Sequence, residues 1–99
     1  MNVDDAIRER RSLKEFEPDV VDLDTIRELL DLAVHAPNHH RTDPWRFVVL
    51  GPESLSRLAT EGEAPKLVRS RQAIVPVQRV AEDAATAEED YAAIAAAVQ

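Results

Sequence analysis

One short segment, WRFVVL at Trp45–Leu50, constrains the fold of this 99-residue chain more than any other. It is almost wholly apolar and rich in aromatic and β-branched residues, which is typical of a strand. Near-continuous apolarity predicts a central strand that is covered on both faces. Because helical patterns lie before and after it, the chain must place helices around a small sheet, in an α/β or α+β architecture.

The first helix is predicted to begin at Asp4 or Asp5 and to end at Arg10. Asp4 is the expected N-cap, and the arginines of the last turn complement the helix dipole. Residues 11–22 are then expected to form an extended connection, because Pro18 forbids a continuous helix.

The second helix has the clearest pattern in the chain. Apolar residues recur at helical spacing after the expected N-cap, Asp24, and the sequence APN at residues 36–38 ends the helix. After the strand, GPESLSRLATEG predicts a turn and a short helix that ends near Gly62. The pattern of residues 63–72 does not distinguish between helix, strand and loop.

A second strand is predicted in AIVPVQRV, residues 73–80. Pro76 cannot donate to a hydrogen-bond ladder, so this strand is expected to be an edge strand or an irregular one. Thr86 and Glu89 match a capping box before an alanine-rich helix that continues to Gln99. Such a helix depends on packing against another surface. The whole chain, residues 1–99, is expected to form one domain.

Composition excludes several classes of function. A net charge of −7 argues against general affinity for nucleic acid or an anionic membrane. The absence of cysteine removes disulfides, thiolate metal sites and a cysteine nucleophile, and it fits the reducing cytoplasm. The N-terminus is not apolar and no run approaches eighteen apolar residues, so neither a signal peptide nor a membrane span is predicted.

Positive charge is concentrated near the N-terminus, where four of the twelve cationic residues lie within seven positions: Arg8, Arg10, Arg11 and Lys14. In an extended segment, Arg10, Ser12 and Lys14 point to the same side and can converge on one anion. The alternative is a solvated helix C-terminus whose cations only complement the dipole.

All three histidines lie within six residues, at positions 35, 39 and 40. His35 and His39 have the i, i+4 spacing of a zinc site, to which Asp43 could contribute. Pro37 interrupts the helical geometry between them, so no metal site is predicted. Loop histidines that contact a polar ligand, or simply solvent, are the preferred interpretation.

Two further groups have simple structural interpretations. Trp45 is expected to anchor the core, with stacking against a cofactor as the alternative. Glu89 and Asp90 beside Tyr91 suggest acid–base chemistry, but a capping role explains Glu89 more simply. No catalytic side chain is therefore assigned.

Taken together, these segments resemble the nitroreductase family of FMN-dependent oxidoreductases. Their order and spacing match as well as their composition, and the resemblance covers essentially the whole chain but only about the first half of a typical member. The segments that carry it are RRSLKEF at 10–16, LLDLAVHAPNHHRTDPWRFVVL at 29–50 and EEDYAAIAAAVQ at 88–99.

The resemblance implies an FMN site at the cationic run. Arg10 and Ser12 would hold the phosphate, Lys14 would reach the N1/O2 edge of the flavin ring, and Arg11 would contact the phosphate or the ribityl chain. A cation near N1 favours the anionic reduced flavin.

The same resemblance implies that His35 and His39 approach the FMN of the other subunit across a homodimer interface. Arg41 and Asp43 stand where the commoner branch of the family has asparagine and glutamine, so the contacts of those two side chains are not carried over.

The expected fold is α+β and nitroreductase-like, with a mainly antiparallel sheet flanked by helices, and incomplete because the C-terminal half is absent. The expected reaction transfers hydride from NAD(P)H through FMN to a small-molecule electron acceptor such as a nitroaromatic or a quinone. The alternative is a non-catalytic, truncated remnant or an interaction module. A small metal-binding or nucleic-acid-binding domain is the third and least favoured interpretation.

Overall fold

A computed structural model describes all 99 residues and has the α+β architecture that the sequence predicts, with four α-helices and one two-stranded antiparallel sheet. Two short 3₁₀ helices, His39–Arg41 and Pro65–Arg69, lie in the connections. The main elements are α1 (Val3–Glu9), α2 (Leu23–Ala33), β1 (Trp45–Leu50), α3 (Pro52–Glu61), β2 (Ala73–Gln78) and α4 (Ala84–Val98).

The sheet pairs β1 with β2, so that Trp45 lies opposite Gln78 and Leu50 opposite Ala73. Pro76 is tolerated within β2, as expected for an edge strand, because each strand of a two-stranded sheet has a free edge. The prediction that β1 is central and covered on both faces was wrong for this chain. It has one neighbouring strand, and Val48 on its second face is 46% exposed.

Three helix starts differ from the prediction, because a nearby side chain caps the helix better. Asn2 rather than Asp4 caps α1, and its Oδ1 accepts from the backbone N–H of Asp5 at 2.9 Å. Asp22 rather than Asp24 caps α2. In each case the capping oxygen satisfies a backbone N–H of the first turn.

The capping box predicted for α4 was wrong in the same way. Asp83 is the N-cap, and its two carboxylate oxygens accept from the backbone N–H and the hydroxyl of Thr86, each at 2.8 Å. Asp22 binds Thr25 through the same two kinds of bond. These bonds stabilise the ionised carboxylates and lower the pKa of both Asp22 and Asp83.

The end of α3 confirms the prediction that this helix stops near Gly62, which is its C-cap. A Cβ atom at this position would lie 2.8 Å from the carbonyl oxygen of Leu58, so glycine lets the chain turn away. Residues 63–72, which favoured no element, contain the second 3₁₀ helix.

The connection between α1 and α2 is not fully extended, because it bends at Lys14 and at Pro18. Its far end is fixed by Gln72. The side-chain amide of Gln72 accepts from the Val21 N–H and donates to the Val21 carbonyl, both at 3.0 Å. A side chain thus imitates the pairing of a neighbouring strand.

The core is small. Only eight of the 99 residues are buried, and one cluster consists of Trp45 from β1 with Ala93 and Ile94 from α4. Large apolar side chains remain exposed, among them Leu32 at 70% and Val98 at 63%. No helix combines the length and the apolar character that a membrane crossing requires.

Candidate functional site

Residues 38–43, named here the histidine loop, connect α2 to β1 in an unusual backbone conformation. His40, Arg41 and Asp43 all have positive φ angles, of 58°, 48° and 45°. Non-glycine residues seldom adopt this left-handed region, and they remain in it only where the surroundings hold them. The loop therefore needs specific contacts to keep its shape.

Asn38 supplies the contacts within the loop. Its Oδ1 accepts from the backbone N–H of Asp43 at 2.8 Å, and its Nδ2 donates to the Thr42 hydroxyl at 3.1 Å. The backbone N–H of Arg41 donates to the Asn38 carbonyl at 3.2 Å. Asn38, at the start of the loop, thus bonds to three residues at its end.

Asp90 joins the histidine loop to α4. The Thr42 hydroxyl donates to Asp90 Oδ1 at 2.5 Å, and the Asp90 side chain is fully buried. The other carboxylate oxygen, Oδ2, has no hydrogen-bond partner. The sequence had suggested Asp90 for acid–base chemistry, but not this link to the loop.

A sequence signal for the burial of Asp90 did exist. Asp90, Ala93, Ile94 and Ala97 are spaced i, i+3, i+4 and i+7, so the carboxylate lies on the apolar face of the helix that packs on β1. A charged residue at such a position is rarely buried without a partner.

His39 lies against α4 and is more than half exposed. Its Nε2 is 3.8 Å from Glu89 Oε1, and its ring meets that of His40 edge to face with centroids 3.9 Å apart. Glu89 therefore faces this histidine and does not cap α4, contrary to the prediction.

His35 lies in a different concavity from His39. It borders an apolar groove of about 600 Å³ between the end of α2, the sheet and the last turn of α4. The other lining residues include Leu29, Leu32, Phe47, Ile74 and Val98. The structure thus separates the two histidines whose spacing resembled a zinc site, and no group of three potential ligands could hold a metal ion.

Residues 10–14, named here the cationic segment, contain Arg10, Arg11 and Lys14 together with the neutral Ser12, and all four side chains are exposed. The Arg11 guanidinium donates to the carbonyls of Arg8 and Arg10, at 2.8 and 2.7 Å, as the helix C-terminus interpretation expects. None of the three cations forms an ion pair with a carboxylate.

Lys14 borders a small concavity together with Glu15, Phe16 and Arg69. Sequence reasoning missed Arg69, because residues 63–72 favoured no element and nothing in the sequence brought them near the N-terminal segment. Two cations that lie 55 positions apart thus line one surface, Arg69 at the end of the second 3₁₀ helix and Lys14 at a bend.

Within one chain, Lys14, His35 and His39 border three different concavities, and Arg10, Arg11 and Ser12 line none of the three. The FMN contacts that the resemblance implies for Arg10, Arg11, Ser12, Lys14, His35 and His39 stay predictions.

Comparison with known proteins gives a consistent result. The family model described as "Nitroreductase family" matches residues 7–99, which include the cationic segment and the histidine loop. Among curated proteins, the candidate NAD(P)H nitroreductase YfhC of Bacillus subtilis is 42% identical over 50 residues, covering 50% of this chain and 26% of that protein. The nitroreductase NfnB of Mycolicibacterium smegmatis is 40% identical over 53 residues, covering 54% of this chain and 23% of that protein.

Among solved structures, a nitroreductase-like family protein from Bacillus cereus superimposes with a TM-score of 0.83 at 26% identity. The superposition covers 100% of this chain and 61% of the Bacillus cereus chain, so this chain spans less than two thirds of the solved relative. The likeness confirms the nitroreductase-like fold expected from the sequence. On the family match and this shared fold, the chain belongs to the nitroreductase family.

Proposed function

We propose that this chain belongs to an FMN-dependent oxidoreductase that takes hydride from NAD(P)H and passes electrons to a small-molecule acceptor such as a nitroaromatic or a quinone. The observation that carries the proposal is the family match over residues 7–99, which takes in a cationic segment free of ion pairs. The relative from Bacillus subtilis, whose name describes NAD(P)H nitroreductase activity, supports the nicotinamide reductant.

The donor set near the N-terminus fits the phosphate of FMN. Arg10 offers a guanidinium fork, Ser12 a hydroxyl and Lys14 an ammonium, all exposed. Arg11 contributes once its guanidinium leaves the backbone carbonyls it now binds. When bound, FMN supplies the hydride-accepting and electron-donating chemistry, so the protein's own residues bind and orient.

Homodimer formation completes the proposed site. His35 and His39 of a second copy would contact the flavin. In their own chain, these histidines border different concavities from the one that Lys14 borders. Exposed apolar side chains on α2 and α4, such as Leu32 and Tyr91, support an assembly that covers them. The cytoplasmic location expected from the sequence stays a prediction.

The test is a flavin titration of the purified chain, followed by visible absorbance and quenching of FMN fluorescence. We expect saturable binding, and a loss of about tenfold to 100-fold in affinity for Arg10→Ala, because a charge-assisted hydrogen bond to phosphate is removed. Arg27→Ala is the matched control, since Arg27 is an exposed arginine of α2 that pairs only with Asp24. Equal affinity of Arg10→Ala and the wild type would refute the phosphate assignment.

The alternative, a non-catalytic remnant or interaction module, is favoured by one observation: very few residues are buried and much apolar surface is exposed. The same titration separates the two functions. A chain that stays colourless and quenches no flavin fluorescence at any concentration supports the interaction module.

A further inference from the structure

We propose that Asp90 is a positioning residue, which acts through Thr42 to hold the histidine loop in the shape that presents His39. This inference deepens the proposed function and rests on it for the part that concerns flavin. The arrangement that carries it is a buried carboxylate of α4 bonded to a loop 48 positions earlier in the chain.

The burial of Asp90 is costly and therefore informative. Its side chain has no exposed surface, and it accepts one hydrogen bond through Oδ1 while Oδ2 accepts none. An ionised carboxylate loses its hydration in such a position, and one hydrogen bond compensates only in part. An apolar residue would pack here at lower cost, so a carboxylate at this position indicates a specific contact.

Capping does not explain the carboxylate. Asp90 lies in the middle of α4, whose first turn is already capped by Asp83. The one hydrogen bond of its side chain leaves the helix and goes to Thr42. Asp90 therefore serves the loop and not its own helix.

The hydrogen bonds of the loop form a directed chain that ends at this carboxylate. The Asp43 N–H donates to Asn38, the Asn38 amide donates to Thr42, and the Thr42 hydroxyl donates to Asp90. The bond from Asp43 to Asn38 is exposed and the other two are part-buried, so the series runs from the surface to the buried carboxylate of Asp90. His40, Arg41 and Asp43, the three residues with positive φ, lie within the loop that these hydrogen bonds close.

His39 is the residue that this restraint positions. It lies next to Asn38, and its ring faces Glu89, the residue before Asp90. Two adjacent residues of α4 thus contact the loop, Asp90 through a part-buried hydrogen bond and Glu89 through an exposed contact at 3.8 Å. Loss of the part-buried bond would free the loop to leave α4, and His39 would move with it.

The decisive variant is Thr42→Val, which keeps the shape of the side chain and removes the hydroxyl. We expect the backbone amides of Arg41 and Asp43 to exchange with deuterium about 10- to 100-fold faster in NMR experiments on the full chain. The variant loses the bond to Asp90 and also the bond that Asn38 Nδ2 donates to the same hydroxyl. Thr42→Ser, which keeps the hydroxyl, should stay within about threefold of the wild type.

Thr60→Val is the matched control. Thr60 donates its hydroxyl to the Ser56 carbonyl within α3, away from the histidine loop. Its substitution should leave the two loop amides unchanged. An Asp90 variant can unfold the chain, so Asn38→Asp separates the two bonds: it keeps the Oδ1 acceptor for the Asp43 N–H and loses only the donor to Thr42. A clearly larger effect of Thr42→Val than of Asn38→Asp assigns the restraint to Asp90, once circular dichroism shows that the helices of both variants are intact. Wild-type exchange in a folded Thr42→Val variant would overturn the proposal.

The flavin titration then tests the positioning role. Thr42→Val should weaken FMN binding, and Thr42→Ser should bind FMN as the wild type does. If the loop of Thr42→Val opens but its affinity for FMN is unchanged, Asp90 does not position His39 for flavin binding. If the wild-type chain binds no flavin at all, the proposed function fails, while the exchange result still decides whether Asp90 holds the loop.

Discussion

Asp22 and Asp83 show how one carboxylate decides where a helix begins. Each accepts from the backbone N–H and the hydroxyl of a threonine three residues later, and each has a lowered pKa for that reason. A carboxyl whose pKa is lower in the folded state contributes stability above its ordinary titration range. It loses that contribution as the pH falls through the lowered pKa.

The first prediction concerns Asp83→Ala. At neutral pH this variant should unfold at a lower temperature than the wild type, because α4 loses its N-cap. The difference in Tm should shrink as the pH falls through the acid range, since the wild-type carboxylate is then protonated. Thermal melts followed by circular dichroism between neutral and acid pH measure this.

Asp83→Asn is the matched variant, because asparagine caps helices well and does not titrate. It should keep most of the wild-type Tm at neutral pH and lose the acid dependence that Asp83 contributes. A difference between Asp83→Ala and wild type that stays constant down to strongly acid pH would contradict the assignment.

The correct N-caps could have been predicted from local sequence, although the prediction assigned other residues. Asp22 and Asp24 both suit a helix start, but only Asp22 has a threonine three residues later. The same D-x-x-T pattern occurs at Asp83, and it explains why Asp83 rather than Thr86 caps α4. Local hydrogen-bond patterns of this kind need no tertiary structure to be found.

At the scale of elements, α4 and β1 share a buried apolar cluster. Trp45 is buried against Ala93 and Ile94, and the small alanines let the helix approach the strand closely. This confirms Trp45 as a core anchor. The bounds of β1 match the WRFVVL segment residue for residue.

The second prediction concerns this contact. Trp45→Ala should lower the free energy of unfolding by about 3–5 kcal/mol, because it leaves a cavity under α4. Val48→Ala, on the exposed face of the same strand, should cost much less. Urea titrations of both variants measure the difference, and equal costs would show that α4 does not depend on the tryptophan.

Long-range contacts explain what the sequence could not predict. The bond from Thr42 to Asp90, the pairing of Gln72 with Val21 and the shared surface of Lys14 and Arg69 each join segments about 50 residues apart. Residue periodicity describes neighbours along one element and not partners across the fold. The cationic segment and the histidines were found from sequence because each is a local cluster.

At the scale of the whole molecule, the chain is more open than its length requires. Its radius of gyration is 15.5 Å, whereas a compact domain of this size has about 13 Å. Few residues are buried, and the groove beside His35 is lined mainly by apolar side chains. Surface of this kind is usually covered by another protein surface.

The third prediction is that the chain self-associates. Sedimentation equilibrium should give about twice the 11.0 kDa chain mass, or more. Leu32→Asp should shift the chain toward monomer, because Leu32 is 70% exposed and lines the groove. Val80→Asp is the matched control, since Val80 is 93% exposed and borders no part of the groove. A wild-type chain that stays monomeric at all concentrations would contradict this.

The amide of Gln72 has a consequence for how far the cationic segment can travel. It holds Val21 as a peptide group would, and glutamine combines a donor and an acceptor at that reach. Arg71 also donates to the Pro18 carbonyl at 3.4 Å, and the eight residues from Arg10 to Pro18 span at most about 29 Å when fully extended. These contacts therefore limit how far the arginines can lie from the start of β2, and a shorter or purely anionic side chain at position 72 would remove the contact at Val21.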